Sequence, residues 1–184
     1  MSRSDWLGMK SRLLRFDAAS TEKLRIAEQP GALRNLAILF AHSGDSWFWL
    51  LGLAVLWWWG SQPWKQRALW MGASILATAA VVMLVKVTIR RQRPAGEWGA
   101  FYRKTDPHSF PSGHAARAAL LAALAVGWGP TWFGLLLLAW APLVILARVA
   151  MGLHYFSDVL AGALLGLIMG WVILVLLPPL SILF

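Results

Sequence analysis

The stretch His108-Ser109-Phe110-Pro111-Ser112-Gly113-His114 lies in the longest polar interruption between the apolar segments of the chain, and a helical run of small residues begins directly after it. Pro111 closes the preceding loop, because its fixed φ and missing N–H disfavour a helix running through it. Ser112 and Gly113 fall where a new helix presents unpaired backbone N–H groups and the positive end of its dipole. That position suits a phosphate-like anion. His114 follows within the first turn, placed to hand a proton to whatever binds there. Pro-Ser-Gly-His is a weak signal alone; its weight comes from two other clusters, at 86–94 and 148–158.

Around this stretch the chain is unusually apolar. Of its 184 residues 59% are hydrophobic and 13 are tryptophan, more than a soluble domain of this size ordinarily carries. Several segments approach the roughly 20 apolar residues that cross a bilayer. The fold class expected is therefore all-α, an integral membrane helical bundle of about five transmembrane helices plus an N-terminal amphipathic segment. One domain is expected over 1–184, with 1–42 as the basic amphipathic segment and 43–178 as the helical core. The absence of cysteine excludes disulfides and thiolate metal sites. Residues 1–30 are polar and basic, with no apolar stretch of the kind a cleavable signal needs. The net charge of +9 comes from basic residues that flank the membrane segments, so the expected partner is anionic lipid and not nucleic acid.

In the first thirty residues Arg3, Lys10, Arg12, Arg15, Lys23 and Arg25 are interleaved with Trp6, Leu7, Met9, Leu13, Leu14 and Phe16. Spacings of three and four put much of this apolar set on one helical face, which reads either as an interfacial amphipathic helix or as a flexible basic tail. Pro30-Gly31 breaks the run. Residues 32–42 are apolar but too few to span unaided. The turn at 42–45 leads to five expected spans, at about 46–60, 65–89, 114–128, 131–149 and 157–177, the last stopped by Pro178-Pro179. Trp57-Trp58-Trp59 reads as an interfacial belt. Gly162, Gly166 and Gly170 recur every fourth residue, and Ala115, Ala118, Ala119, Ala122 and Ala123 line the third span. Both small-residue sets predict close helix packing.

Ionisable residues at membrane depth need a reason. Lys86 and Arg93 are seven residues apart, about two helical turns, and face the same way. Arg148 ends the fourth span. His154 and Asp158 are four apart where the fifth begins. If successive spans alternate in direction, all three clusters reach one membrane face. Cations, a helix N-terminus, two histidines and a carboxylate suit phosphoryl transfer, which asks mostly for positioning and charge stabilisation. His154, with Asp158 to orient it, is the better nucleophile; His114, with no carboxylate in register, is the better acid. Asp158 also reads as a helix cap. Arg90 and Arg91 read as solvated interfacial charges, His42 and His108 as turn or loop residues, and Arg103 and Lys104 as a solvated loop. Two histidines and an aspartate could ligate a metal, but the surrounding cations oppose a divalent ion. Neither metal nor cofactor is expected.

Taken together, Lys86…Arg93-Pro94 fits KxxxxxxRP, Pro111-Ser112-Gly113-His114 fits PSGH, and Arg148…His154…Asp158 fits the latter part of SRxxxxxHxxxD. Three motifs in this order resemble the type 2 phosphatidic acid phosphatase superfamily, over about residues 43–178. The resemblance implies a metal-independent phosphatase working through a phosphohistidine. By position it makes His154 the nucleophile, Asp158 its partner and His114 the proton donor, with Lys86, Arg93, Ser112, Gly113 and Arg148 holding the phosphate. Ala147 stands where the third motif usually has serine, and the basic segment stands where many bacterial members have a sixth span.

Of the 17 Lys and Arg only Lys65 and Arg67 fall clearly on the far face, so the positive-inside rule points the site to the cytoplasm. The resemblance favours the outer face for many lipid phosphatases, and both orientations stand. The expected activity is hydrolysis, in the cell membrane, of a lipid phosphate ester or diphosphate. Candidate substrates are a polyprenyl phosphate or diphosphate, phosphatidic acid, phosphatidylglycerol phosphate or a prenyl-linked sugar phosphate. Action on a water-soluble phosphate, phosphoryl transfer to an acceptor, or non-enzymatic binding of anionic lipid are the alternatives.

Overall fold

A computed structural model describes residues 3–96, 98 and 104–177 of the chain. Among them seven helices carry the fold: α1 (Arg3–Leu24), α2 (Ala32–Ser43), α3 (Ser46–Trp59), α4 (Gln62–Ile89), α5 (Gly113–Trp128), α6 (Thr131–Ala150) and α7 (Phe156–Leu176). Their boundaries follow local chemistry. Pro63 opens α4 where a missing N–H costs nothing. Ser112 caps α5, its hydroxyl accepting from Ala115 N–H. Arg90 ends α4 in the left-handed conformation, with φ of 52°.

The middle of the bundle is α5, eleven of whose sixteen residues are buried. It is wrapped by α4, α6 and α7, and the core joins Leu120, Leu121 and Leu124 to Met71, Ile75, Leu137 and Val144. The glycine stripe of α7 meets α5. A Cβ at Gly162 would collide with Ser112 O, one at Gly166 with Ala116 O, and one at Gly170 would come within 2.8 Å of Ala123 Cβ. The outer faces expose Leu69, Leu76, Met83, Leu135, Leu138, Leu160, Leu164 and Trp171, the dress of a bundle whose solvent is lipid.

Five spans were the expectation. By length and composition α4, α6 and α7 qualify, and a fourth is added if α2 and α3, bent by 60° at their junction, count as one. At 14 and 16 residues, α3 and α5 are shorter than a solitary span needs. For α5 the apolar requirement also lapses, because its neighbours shield it, and it carries Arg117. The short stretch 32–42 forms α2, whose Ala37 and Ala41 pack with Ala147, Met151 and Leu153 at the end of α6.

Residues 3–24 do form a helix, α1, and Met9, Leu14 and Phe16 are exposed on it. The side chains expected of Arg3, Trp6, Leu7, Lys10 and Leu13 fall outside the described ones, as do Arg103 and Pro178-Pro179. At the far end Trp57, Trp58 and Trp59 are all exposed.

Because α7 touches α5 through backbone at Gly166, Gly166→Ala should lower stability by about 1–3 kcal/mol through overpacking. At Gly72, on α4, an added Cβ would meet nothing within 4 Å, and Gly72→Ala should be neutral or slightly stabilising. Thermal unfolding of both variants in detergent checks the contrast.

Candidate active site

Three chain segments meet at one end of the bundle. The loop after α4 is cinched at its base, where Ser109 N–H donates to Arg91 O at 2.8 Å and Gln92 bridges His108. This neck sets Arg93 on one side and the start of α5 on the other. The third segment is the turn between α6 and α7, where Gly152 takes a φ of 63° that favours glycine. Leu153 and His154 N–H both return to Arg148 O there, at 3.0 and 3.3 Å, so the turn aims His154 back at the cluster.

His154 is buried. Its Nδ1 lies 2.8 Å from Ser109 O, and a carbonyl can only accept, so the proton sits on Nδ1. The Nε2 lone pair therefore faces the cluster, 3.0 Å from Arg93 Nη1. Burial, then the charges of Arg93, Arg148 and Lys86, push the basicity of this imidazole well below the usual value. Asp158 stands 3.7 Å from Nδ1, outside hydrogen-bond range. The direct orienter of His154 is thus the Ser109 carbonyl, with Asp158 behind it. Asp158 also caps α7, accepting from Tyr155 N–H at 2.9 Å.

His114 is not without a carboxylate, contrary to expectation. Its Nε2 lies 2.7 Å from Asp45 Oδ1, contributed from 69 residues upstream at the start of α3. His42, expected only as a turn residue, lies 3.5 Å from the other oxygen of the same group. Lys86 Nζ donates to His108 O at 3.0 Å and to Asp106. Arg93 donates to Asp106 Oδ2 at 2.8 Å, to Asp106 O at 2.7 Å and to Leu153 O at 2.8 Å. One carboxylate oxygen thus sits between two of the cations expected to grip phosphate. Arg148, fully buried, donates to Ala41 O at 3.2 Å.

Six of the eight expected site residues (Lys86, Arg93, Gly113, His114, Arg148 and His154) line one cavity of about 260 Å³. Ser112 and Asp158 sit behind its wall, joined by Ser112 N–H donating to Asp158 O at 2.9 Å. Ser112 accepts from Ala115 N–H at 3.4 Å, and its own hydroxyl proton remains to donate. Met83 lines the same cavity and is 55% exposed, so the space reaches the lipid-facing side of α4. Among the described residues no three His, Cys, Asp or Glu side chains form a metal-binding group.

Arg91 is the plainest correction, because it is not a solvated charge. It stacks on Tyr155, 4.0 Å from the ring centre, and its Nη1 donates to Asp158 Oδ1 and Ser157 Oγ at 2.7 and 2.6 Å. Its Nη2 donates to Asp17 at 2.7 Å. Asp17 in turn accepts from Ser157 N–H at 2.9 Å, and Thr21, one turn later on α1, accepts from Phe156 N–H at 3.0 Å. The amphipathic helix therefore caps α7 in trans and ends in the ion pair that holds Asp158. Arg25 secures the join, donating to Ala95 O at 2.8 Å and pairing with Glu28.

Asp17, Asp45, Asp106 and Ser109 escape the motif reading, since each acts across a long sequence separation and none lies in a motif. One signal is available for the aspartates. The chain has only 8 acidic residues, so any aspartate near a cation cluster is a candidate counterion.

Residues 67–181 match the PAP2 superfamily. The chain is 33% identical over 156 residues, 80% of its length and 82% of the relative's, to decaprenylphosphoryl-5-phosphoribose phosphatase of Mycobacterium tuberculosis. It is 31% identical to lipid A 1-phosphatase of Rhizobium etli, over 86% of this chain and 75% of that one. The fold superposes on the crystal structure of a transmembrane PAP2-type phosphatidylglycerolphosphate phosphatase from Bacillus subtilis with a TM-score of 0.70, at 23% identity, covering 88% and 84% of the two chains.

Burial pushes the Asp17 carboxyl up, but hydrogen bonds from Ser157 and Arg91 outweigh it and hold it below the ordinary 3.8. A depressed carboxyl stabilises docking above its unfolded pKa and loses that contribution as pH falls through the folded one. Docking of α1 should hold at pH 5 and weaken below about pH 4. Asp17→Ala should remove about 1–2 kcal/mol of capping and speed trypsin cleavage after Lys23 or Arg25 roughly tenfold at neutral pH.

Proposed function

The chain belongs to the PAP2 superfamily, and from that premise we propose that it is a cell-membrane phosphatase hydrolysing a lipid phosphate ester or diphosphate, with His154 as nucleophile. The observation that carries this reading is the unprotonated Nε2 of His154 facing a cavity with Lys86, Arg93, Arg148 and His114. The lipid phosphates in the names of its relatives support the substrate class. The apolar side of the cavity, formed by Ile75, Ala79, Val82 and Met83, suits a tail arriving sideways from the bilayer.

In this mechanism the phosphate lies against Lys86, Arg93, Arg148 and the N-terminus of α5 at Ser112 and Gly113, displacing the Asp106 carboxylate from its two cations. His154 Nε2 attacks phosphorus while the bond to the lipid oxygen breaks, and His114 gives that oxygen its proton. The phosphoryl group is then on Nε2, with the positive ring balanced through Nδ1–H by Ser109 O and by Asp158 behind it. Water attacks next, His114 takes its proton, and orthophosphate leaves with His154 restored. Asp45 holds the His114 ring by its Nε2, so Nδ1 is the nitrogen that exchanges the proton. The residues perform the whole cycle without a metal.

Purified protein in detergent should release phosphate from a lipid phosphate in excess EDTA, and His154→Ala should lower kcat by at least about 10³-fold. Activity abolished by EDTA and restored by a divalent ion, or retained in full by His154→Ala, would overturn the reading. Asp45→Asn should lower kcat by about 10–100-fold through the acid and leave KM within about threefold. A change confined to KM would show that Asp45 acts on binding and not through His114.

A further inference from the structure

The cavity continues past His114 toward the bilayer core, and two polar side chains in its wall have no part in the chemistry above. Arg117 lies three residues after His114 on α5, about 4.5 Å farther along the axis. It lines the cavity and is 9% exposed. Its Nη1 donates to Gly44 O, but its Nε is buried with no hydrogen-bond partner among the described residues. The nearby carboxylate of Asp45 bonds His114 and sits beside His42; its charge reaches Arg117, but no direct ion pair joins them. Thr78 is on the opposite wall, eight residues before Lys86 on α4 and so about 12 Å deeper. Thr78 lines the same cavity, and its Oγ1 is likewise buried without a partner among the described residues.

A guanidinium buried among membrane helices with no carboxylate bonded to it is costly, and such a residue ordinarily marks a ligand or ion path. Holding the α2–α3 turn through Gly44 uses only one of its donors and would need no charge. The direction of the chemistry says what the rest would meet. His114 delivers its proton to the leaving oxygen, so the leaving half of the substrate extends past His114. From that point α5 descends into the membrane, as the lipid tail must. Arg117 is therefore the first charged group the leaving half encounters.

We propose that Arg117, with Thr78, forms a second anion subsite that receives a phosphate carried by the leaving group. This rests on the hydrolase reading above and narrows its substrate. The ligand chemistry is a lipid with two phosphates: either a lipid diphosphate, or a sugar phosphate joined to its lipid through a phosphodiester. Lipids whose leaving group is an uncharged alcohol lack the contact.

The test compares kcat/KM in detergent for a polyprenyl diphosphate, a prenyl-phosphoryl sugar phosphate and phosphatidic acid. Wild type is measured beside Arg117→Gln, Arg117→Lys and Thr78→Val. For Arg117→Gln the ratio of a two-phosphate substrate to phosphatidic acid should fall about 10–100-fold, as for a lost hydrogen bond to a charged group. Arg117→Lys should restore part of it, and Thr78→Val, nearly isosteric and safe for folding, should lower it several-fold. Whichever two-phosphate substrate loses more names the source of the second phosphate. Ratios that stay at the wild-type value, or losses in proportion on all three substrates, overturn the subsite and leave the hydrolase standing. Wild type inactive on all three overturns both.

Discussion

Four cations crowd one rim of an apolar bundle, and the rest of the site is arranged around making that tolerable. Lys86, Arg93, Arg117 and Arg148 are all buried, where like charges repel and desolvation is expensive. Three aspartates from different segments lie among these cations and their neighbours. Asp106, on the loop, sits between Lys86 and Arg93; Asp158, on α7, takes Arg91; Asp45, at the start of α3, stands by His114. Backbone carbonyls of Ala41, Gly44, Leu153 and His108 take further donors. The arrangement is strongly electropositive yet folded.

That charge cluster can exist only because the helices behind it approach so closely. With no hydrophobic drive between helices in lipid, packing relies on small residues, and the α5–α7 contact is backbone against backbone at Gly162 and Gly166. It begins beside Ser112, whose N–H donates to Asp158 O. The capped start of α5 and the start of α7 are thus locked together, and His114 and His154 are carried on two ends of one rigid joint. Packing and chemistry share the same few ångströms.

Much of this is legible in the sequence. Hydropathy locates α4, α6 and α7, the glycine stripe announces a tight neighbour, and the alternation of spans brings residues 86–93, 112–114 and 148–158 to one face. Helical spacing supports such readings because side chains at fixed intervals share a direction. Pattern is a weaker guide where helices are short. For α3 and α5, enclosure by neighbours substitutes for length, and no local pattern reports enclosure. It fails for contacts made between segments: Asp45 to His114 spans 69 residues, and Asp17 to Ser157 spans 140. Single aspartates in turns have no periodicity to betray them, and Arg91, beside an arginine that does face out, looks like its twin.

The pairing of Arg91 changes what the first helix is for. A basic amphipathic segment with Met9, Leu14 and Phe16 exposed would, on its own, be a membrane anchor and nothing more. Here its inner face supplies two further side chains that cap α7, and the cap is continuous through Arg91 with the carboxylate behind His154. Without Asp17, Arg91 would keep only the Asp158 carboxylate as a partner for its charge. A run of polar contacts thus leads from Asp17 on the first helix through Arg91 to Asp158, whose carboxylate stands 3.7 Å from His154 Nδ1.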